Sequence, residues 1–76
     1  MQALPVIKRG TPDGIDVRRL QGLLVAAGQH LPQSRTNGKP DGPLDGQFGD
    51  ETEKALKAVT GSIVAGTREW KHLLGA

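Results

Sequence analysis

The chain contains no cysteine and no tyrosine, and Phe48 and Trp70 are its only aromatic residues. Without thiols there are no disulfide staples and no thiolate metal clusters to support a small fold. With two aromatics there is little ring surface for stacking on sugars. No long apolar run occurs: the stretch from Ala3 to Ile7 is interrupted by Pro5. That is too short for a signal-peptide core, and no segment approaches a membrane span. A membrane partner is therefore not expected; the chain either stays where it is made or is one module of a longer exported protein. Charge of one sign is also scarce. Ten Lys and Arg against eight Asp and Glu leave a net +2, and the basic pairs Lys8-Arg9, Arg18-Arg19 and Lys54/Lys57 are interleaved with acids. A nucleic-acid binder usually gathers its basic charge on one face, so this scatter reads as a solvated surface. Seventy-six residues form one domain that buries only about 60% of its unfolded surface. A Rossmann domain, a barrel and a large enzyme are excluded.

What the chain has in quantity is turn residues, 11 Gly and 5 Pro, and they mark the element boundaries. After a lead segment at 1–9, the breakers Gly10-Thr11-Pro12-Asp13-Gly14 turn the chain. Val17, Leu20, Leu24 and Ala27, with Leu23 beside them, then follow helical spacing. Asp16 falls in the first turn, where the helix dipole favours an acid, and Gly28 suits a left-handed stop. A helix is predicted over 15–27. Residues 29–48 hold only successive turn signals: Pro32, Asn37-Gly38, Pro40, Asp41-Gly42, Pro43 and Asp45-Gly46. Residues 33–43 read as a surface insertion, since lengthening a loop costs only about 0.6 kcal/mol per doubling. The end of the loop, 44–48, reads as structured. Asp50 and Glu51 open a second helix over 50–60, with Ala55, Leu56 and Val59 on its stripe and Gly61 as its stop. Trp70, Leu73 and Leu74 face inward from a third helix over 67–74. The expected fold is a small all-α domain of three short helices with one long loop between the first two, its core around Phe48 and Trp70.

Chemical constellations are few. His30 and His72 stand far apart with no third ligand in metal spacing. Counted from Asp41, an EF-hand loop would put Pro43 at position 3 and Thr52 at position 12, where acids are required. Ser34 and Ser62 both lie in loops with no base and orienting group in a catalytic spacing. The chain is read as no enzyme, with no cofactor and no metal. A helix-turn-helix is the alternative for the second and third helices, with Arg68 and Lys71 exposed on the latter, but the first connection is about twenty residues where that motif uses three or four.

Two segments carry a further indication. Val17-Arg18-Arg19-Leu20-Gln21-Gly22-Leu23-Leu24, followed by Ala27-Gly28, resembles the first helix of the peptidoglycan-binding domain family, which reads valine-x-x-leucine-glutamine-x-x-leucine and then glycine. Leu44-Asp45-Gly46-Gln47-Phe48-Gly49-Asp50-Glu51-Thr52 is similar to that family's D-G-x-F-G-x-x-T signature, and Gly66 to Trp70 resembles its closing segment. The likeness spans residues 9–74 in the family's order. It departs at Val59-Thr60, where the family has phenylalanine-glutamine, and in the short connection 61–65. Physically, Asp45-Gly46 supplies a turn, Phe48 a staple and Gly49 a helix cap, with the Thr52 hydroxyl placed to reach back to the cap amide.

The resemblance implies non-catalytic binding to bacterial cell-wall peptidoglycan, through its stem peptide or its glycan, by a module attached to or associated with a lytic enzyme at the cell wall or outside the cell. It places ligand contacts in a polar groove between the first helix and segment 44–52, at Arg18 (or Arg19), Gln21, Asp45, Gly46, Phe48, Gly49 and Thr52. The competing expectation is the same three-helix fold used to dock a protein partner or nucleic acid.

Overall fold

The computed structural model describes residues 5–12, 14–39 and 42–75. Residues 1–4 of the lead segment and the turn positions Asp13, Pro40 and Asp41 lie outside the described residues. The fold is all-α. Helix α1 spans Ile15–Ala26, α2 Asp50–Thr60 and α3 Thr67–Leu73, within one residue of the expected boundaries. Gly28 and Gly61 follow the first two helices with φ of 98° and 80°, so each stop is the left-handed one that a missing Cβ permits. Each helix packs against the other two. Val17, Leu20 and Leu24 of α1, Ala55 and Leu56 of α2 and Trp70 of α3 meet in one cluster with Phe48.

Three further members of that cluster, Ile7, Leu31 and Ala65, come from segments without helical period. Ile7 and Ala65 form a single antiparallel bridge, with Ile7 N–H donating to the Ala65 carbonyl at 3.0 Å and Ala65 N–H returning the bond at 2.7 Å. This pairing carries the lead segment across the start of α3. There the Trp70 indole Nε1–H donates to the Pro5 carbonyl at 2.7 Å. The indole can therefore be buried without an orphaned donor. On the far side of the lead segment, the Arg9 guanidinium reaches Asp50 and Glu53 at the start of α2. Both acids raise its pKa further above the ordinary arginine value, Glu53 first.

The long loop is folded back on itself. Arg35 and Leu44 form a second isolated bridge, and Thr36 N–H donates to the Pro43 carbonyl at 3.0 Å. The Arg35 side chain ties the ends together, donating to the carbonyls of Leu31 at 3.1 Å and Gly42 at 2.7 Å. At the loop's root the Glu51 carboxylate accepts from Gln33 N–H at 2.9 Å and from the Ser34 hydroxyl at 2.9 Å. Glu51 thus belongs to the loop as much as to the helix dipole. Buried Leu31 and Ser34 anchor the base of the loop, and Thr36 to Lys39 beyond them are exposed.

Two measurements test this packing. Ile7 is 2% exposed, so Ile7→Val should cost about 0.5–1.5 kcal/mol and Ile7→Ala about 2–5 kcal/mol in urea unfolding. An unchanged midpoint in both would mean that the lead segment contributes nothing to the core. The second concerns α3, where the Gly66 N–H donates to the Glu69 carboxylate at 3.0 Å. That bond is the main reason the carboxyl titrates below its ordinary 4.5, with Arg68 adding to it. A depressed carboxyl pKa stabilises the fold fully above the unfolded value and loses that contribution as pH falls through the folded one. The difference in Tm between wild type and Glu69→Gln should accordingly shrink as pH is lowered from about 6 to about 3; a constant difference would refute the cap.

Candidate functional site

Gln21 stands on the buried arc of α1, four residues after Val17 and three before Leu24, and is fully buried. Its position on an otherwise apolar stripe means that every polar atom must find a partner inside the protein. Segment 44–52 supplies those partners. The Gln21 Nε2 group lies 3.1 Å from Asp45 Oδ1, 3.1 Å from the Gln47 carbonyl and 3.0 Å from Thr52 Oγ1, so two hydrogens serve three acceptors. On its other side, Oε1 accepts the Gly46 N–H at 3.0 Å. The amide orientation follows from these neighbours: turned over, the NH2 would face an N–H and the oxygen would face a carboxylate.

The turn that meets Gln21 is shaped for it. Asp45 Oδ1 also accepts the Gln47 N–H at 2.9 Å, a local side-chain turn typical of aspartate. Gly46 adopts φ 72°, and a Cβ there would come within 3.0 Å of the Gly14 carbonyl oxygen. Gly46 in turn receives the Gly14 N–H at its carbonyl, 3.2 Å away, which joins the turn to the start of α1. Phe48 then enters the core, and Gly49 caps α2 with extended backbone.

The residues expected to contact a ligand therefore separate into two groups. Gln21, Asp45, Gly46 and Thr52 are brought together as a hydrogen-bonded support, buried except for half-buried Asp45, which with Gly49 and Glu51 also lines a polar concavity of about 260 Å³. Gln21 and Thr52 are each 0% exposed, and Phe48 packs rather than lining an open groove. The Thr52 hydroxyl does not reach back to the cap amide: α2 has no side-chain cap bond. It accepts from Gln21 instead and lies 3.5 Å from the Gln47 carbonyl, because the buried glutamine is the nearer partner. Arg18 is not part of this cluster and remains exposed on α1.

Another open concavity lies between α1 and α3. It encloses about 400 Å³ and is lined by Gly22 and Leu23 of α1, Trp70 and Leu74 beside them, and Pro5, with Asp16 and Arg19 at its edge. Asp16 Oδ1 and Arg19 Nη1 stand 3.7 Å apart, both largely exposed. Gly22 has no evident structural reason to be glycine. A Cβ at this position would find only Leu44 Cδ1, at 4.0 Å. Glycine within a helix gives up about 0.5–1 kcal/mol relative to alanine. The sequence signals for this groove were the Arg18-Arg19 pair and the interior glycine of α1, but the participation of Pro5 and Trp70 depends on the Ile7–Ala65 bridge. Among the described residues, no group of three His, Asp or Glu side chains is placed to hold a metal ion, and no helix is long and apolar enough to cross a membrane.

Glycine at 46 can be tested against glycine at 49. Gly46→Ala should lower stability by about 2 kcal/mol or more, through left-handed strain and the approach to Gly14. Gly49→Ala, at φ −111° and with open space around its Cβ, should cost less than about 1 kcal/mol. Equal urea midpoints for the two variants would contradict the turn geometry.

Compared with family models, with curated proteins and with solved structures, the chain finds no match.

Proposed function

We propose that this chain is a non-catalytic module that binds bacterial cell-wall peptidoglycan and holds an attached or associated lytic enzyme on its polymer. The observation that carries the reading is the convergence on Gln21. The valine-x-x-leucine-glutamine stretch and the D-G-x-F-G-x-x-T stretch lie more than twenty residues apart, and the glutamine of one bonds to the aspartate, glycine and threonine of the other. The two stretches on which the resemblance rests are thus one physical unit, as a shared architecture requires.

With Gln21 and Thr52 buried, the groups we assign to the ligand are Arg18 and Arg19, exposed on α1. Free carboxylates of peptidoglycan stem peptides are suitable partners for guanidinium groups. Trp70 and Phe48 are both buried, so flat stacking on a sugar ring has no open aromatic face. Modest affinity is sufficient for such a module, because linkage to a catalytic domain raises the effective concentration on the polymer.

Retention on purified sacculi tests the reading. The domain should sediment with sacculi at physiological salt, and Arg18→Ala/Arg19→Ala should lose most of that retention while melting like wild type. Failure of the wild type to sediment refutes wall binding. Tight retention on duplex DNA with a steep salt slope would instead support a nucleic-acid module.

A further inference from the structure

Resting on the cell-wall reading, we infer that the groove between α1 and α3 takes the zwitterionic end of a diamino-acid side chain in the stem peptide: an aliphatic chain whose last carbon bears both an ammonium and a carboxylate. Three features of the groove point to that chemistry. Its lining is largely apolar, from Leu23, Leu74, Pro5 and the small exposed part of Trp70, and suits a run of methylenes better than a hydroxyl-rich sugar. At its edge stand one carboxylate and one guanidinium, Asp16 and Arg19, 3.7 Å apart. The two form an exposed i,i+3 ion pair at the long end of salt-bridge distance, which the ammonium and carboxylate of a zwitterion can replace with one contact each. Because the pair is net neutral, it favours a ligand that carries both charges over one that carries a single charge.

The third feature is Gly22. Nothing inside the protein requires glycine there, since a Cβ would meet only Leu44 Cδ1 at 4.0 Å. A missing side chain lets a partner approach the helix backbone closely, and Gly22 is among the residues that line the groove. The indole of Trp70 has its N–H committed to the Pro5 carbonyl, so it meets an occupant with carbon alone. A hydrocarbon chain needs no more than that.

Trp70 is the only tryptophan in the chain, which makes its fluorescence a local reporter of occupancy. Titration with a soluble stem tetrapeptide containing meso-diaminopimelate, its distal amino and carboxyl groups free, should change the Trp70 emission in a saturable manner. The lysine counterpart, which lacks only the distal carboxylate, should bind about tenfold more weakly, as should the diaminopimelate peptide to Arg19→Ala. Gly22→Ala should bind several-fold more weakly while melting at or above the wild-type temperature, a combination that a merely structural glycine cannot give. Lys57→Ala on α2 should match wild type. The inference is overturned if the two peptides bind alike, if neither alters the emission, or if Gly22→Ala and Arg19→Ala bind like wild type. Sacculus pull-downs with the same variants separate the two levels: retention that survives both substitutions removes the groove and leaves wall binding standing, whereas no retention of the wild type removes both.

Discussion

A single buried amide decides how this chain is put together. Gln21 sits where α1 would ordinarily present a leucine, and an unpartnered amide at that depth would cost several kcal/mol. Its four partners come from a segment that has almost no regular structure before Asp50. The need to satisfy Gln21 and the need to organise residues 44–49 are thus met by the same bonds. An apolar residue at position 21 would leave Gly46 N–H, the Asp45 carboxylate and the Thr52 hydroxyl seeking water inside the protein. The amide specifies a register between α1 and α2 that hydrophobic contact alone, being non-directional, would leave loose.

The same device recurs on a smaller scale wherever the helices do not suffice. Glu51 holds the root of the long loop, Arg35 clasps its two ends, and Arg9 ties the lead segment to α2. A chain of this size without disulfides has little hydrophobic area to spare. Its loops are therefore fixed by side chains that reach backbone groups, which is how a sequence so rich in turn residues avoids leaving its carbonyls and amides unmade. The exposed ion pairs among these contribute little individually. Their value lies in position, because each closes a segment whose ends the core already holds.

Helices and their ends were legible in the sequence because both leave local signals, the 3.6-residue period and a glycine just beyond it. The paths of the loops were not. Ile7 and Ala65 pair through one bridge, as do Arg35 and Leu44, and a single bridge has no alternation to detect. Leu31 is flanked by His30 and Pro32 and bears no relation to any stripe, yet it is 1% exposed. Gln21 was expected at a ligand, and the structure finds it fully buried with its amide bonded inside the protein. Period places a residue on an arc but cannot say whether a polar group there is met by protein or by a partner. Thr52 is the same case seen from α2. Its spacing from Gly49 fitted a reciprocal cap, and a fully buried amide arriving from another helix took the hydroxyl instead.

That division has a consequence for what a motif can mean. The glutamine, the glycine of the turn, the phenylalanine and the threonine are buried, and the half-buried aspartate bonds to the glutamine, so a likeness built on them speaks to architecture first. A chain could keep every one of them and bind something else. On α1 the positions outside the motif alternate with those it uses: exposed Arg18 and Arg19, half-buried Gly22 and core-packed Leu23 lie between Val17, Leu20, Gln21 and Leu24. The inward and outward faces of α1 make different demands on its residues. Gly22 is the position where they come into conflict, since alanine would make the better helix and glycine leaves the outer face open.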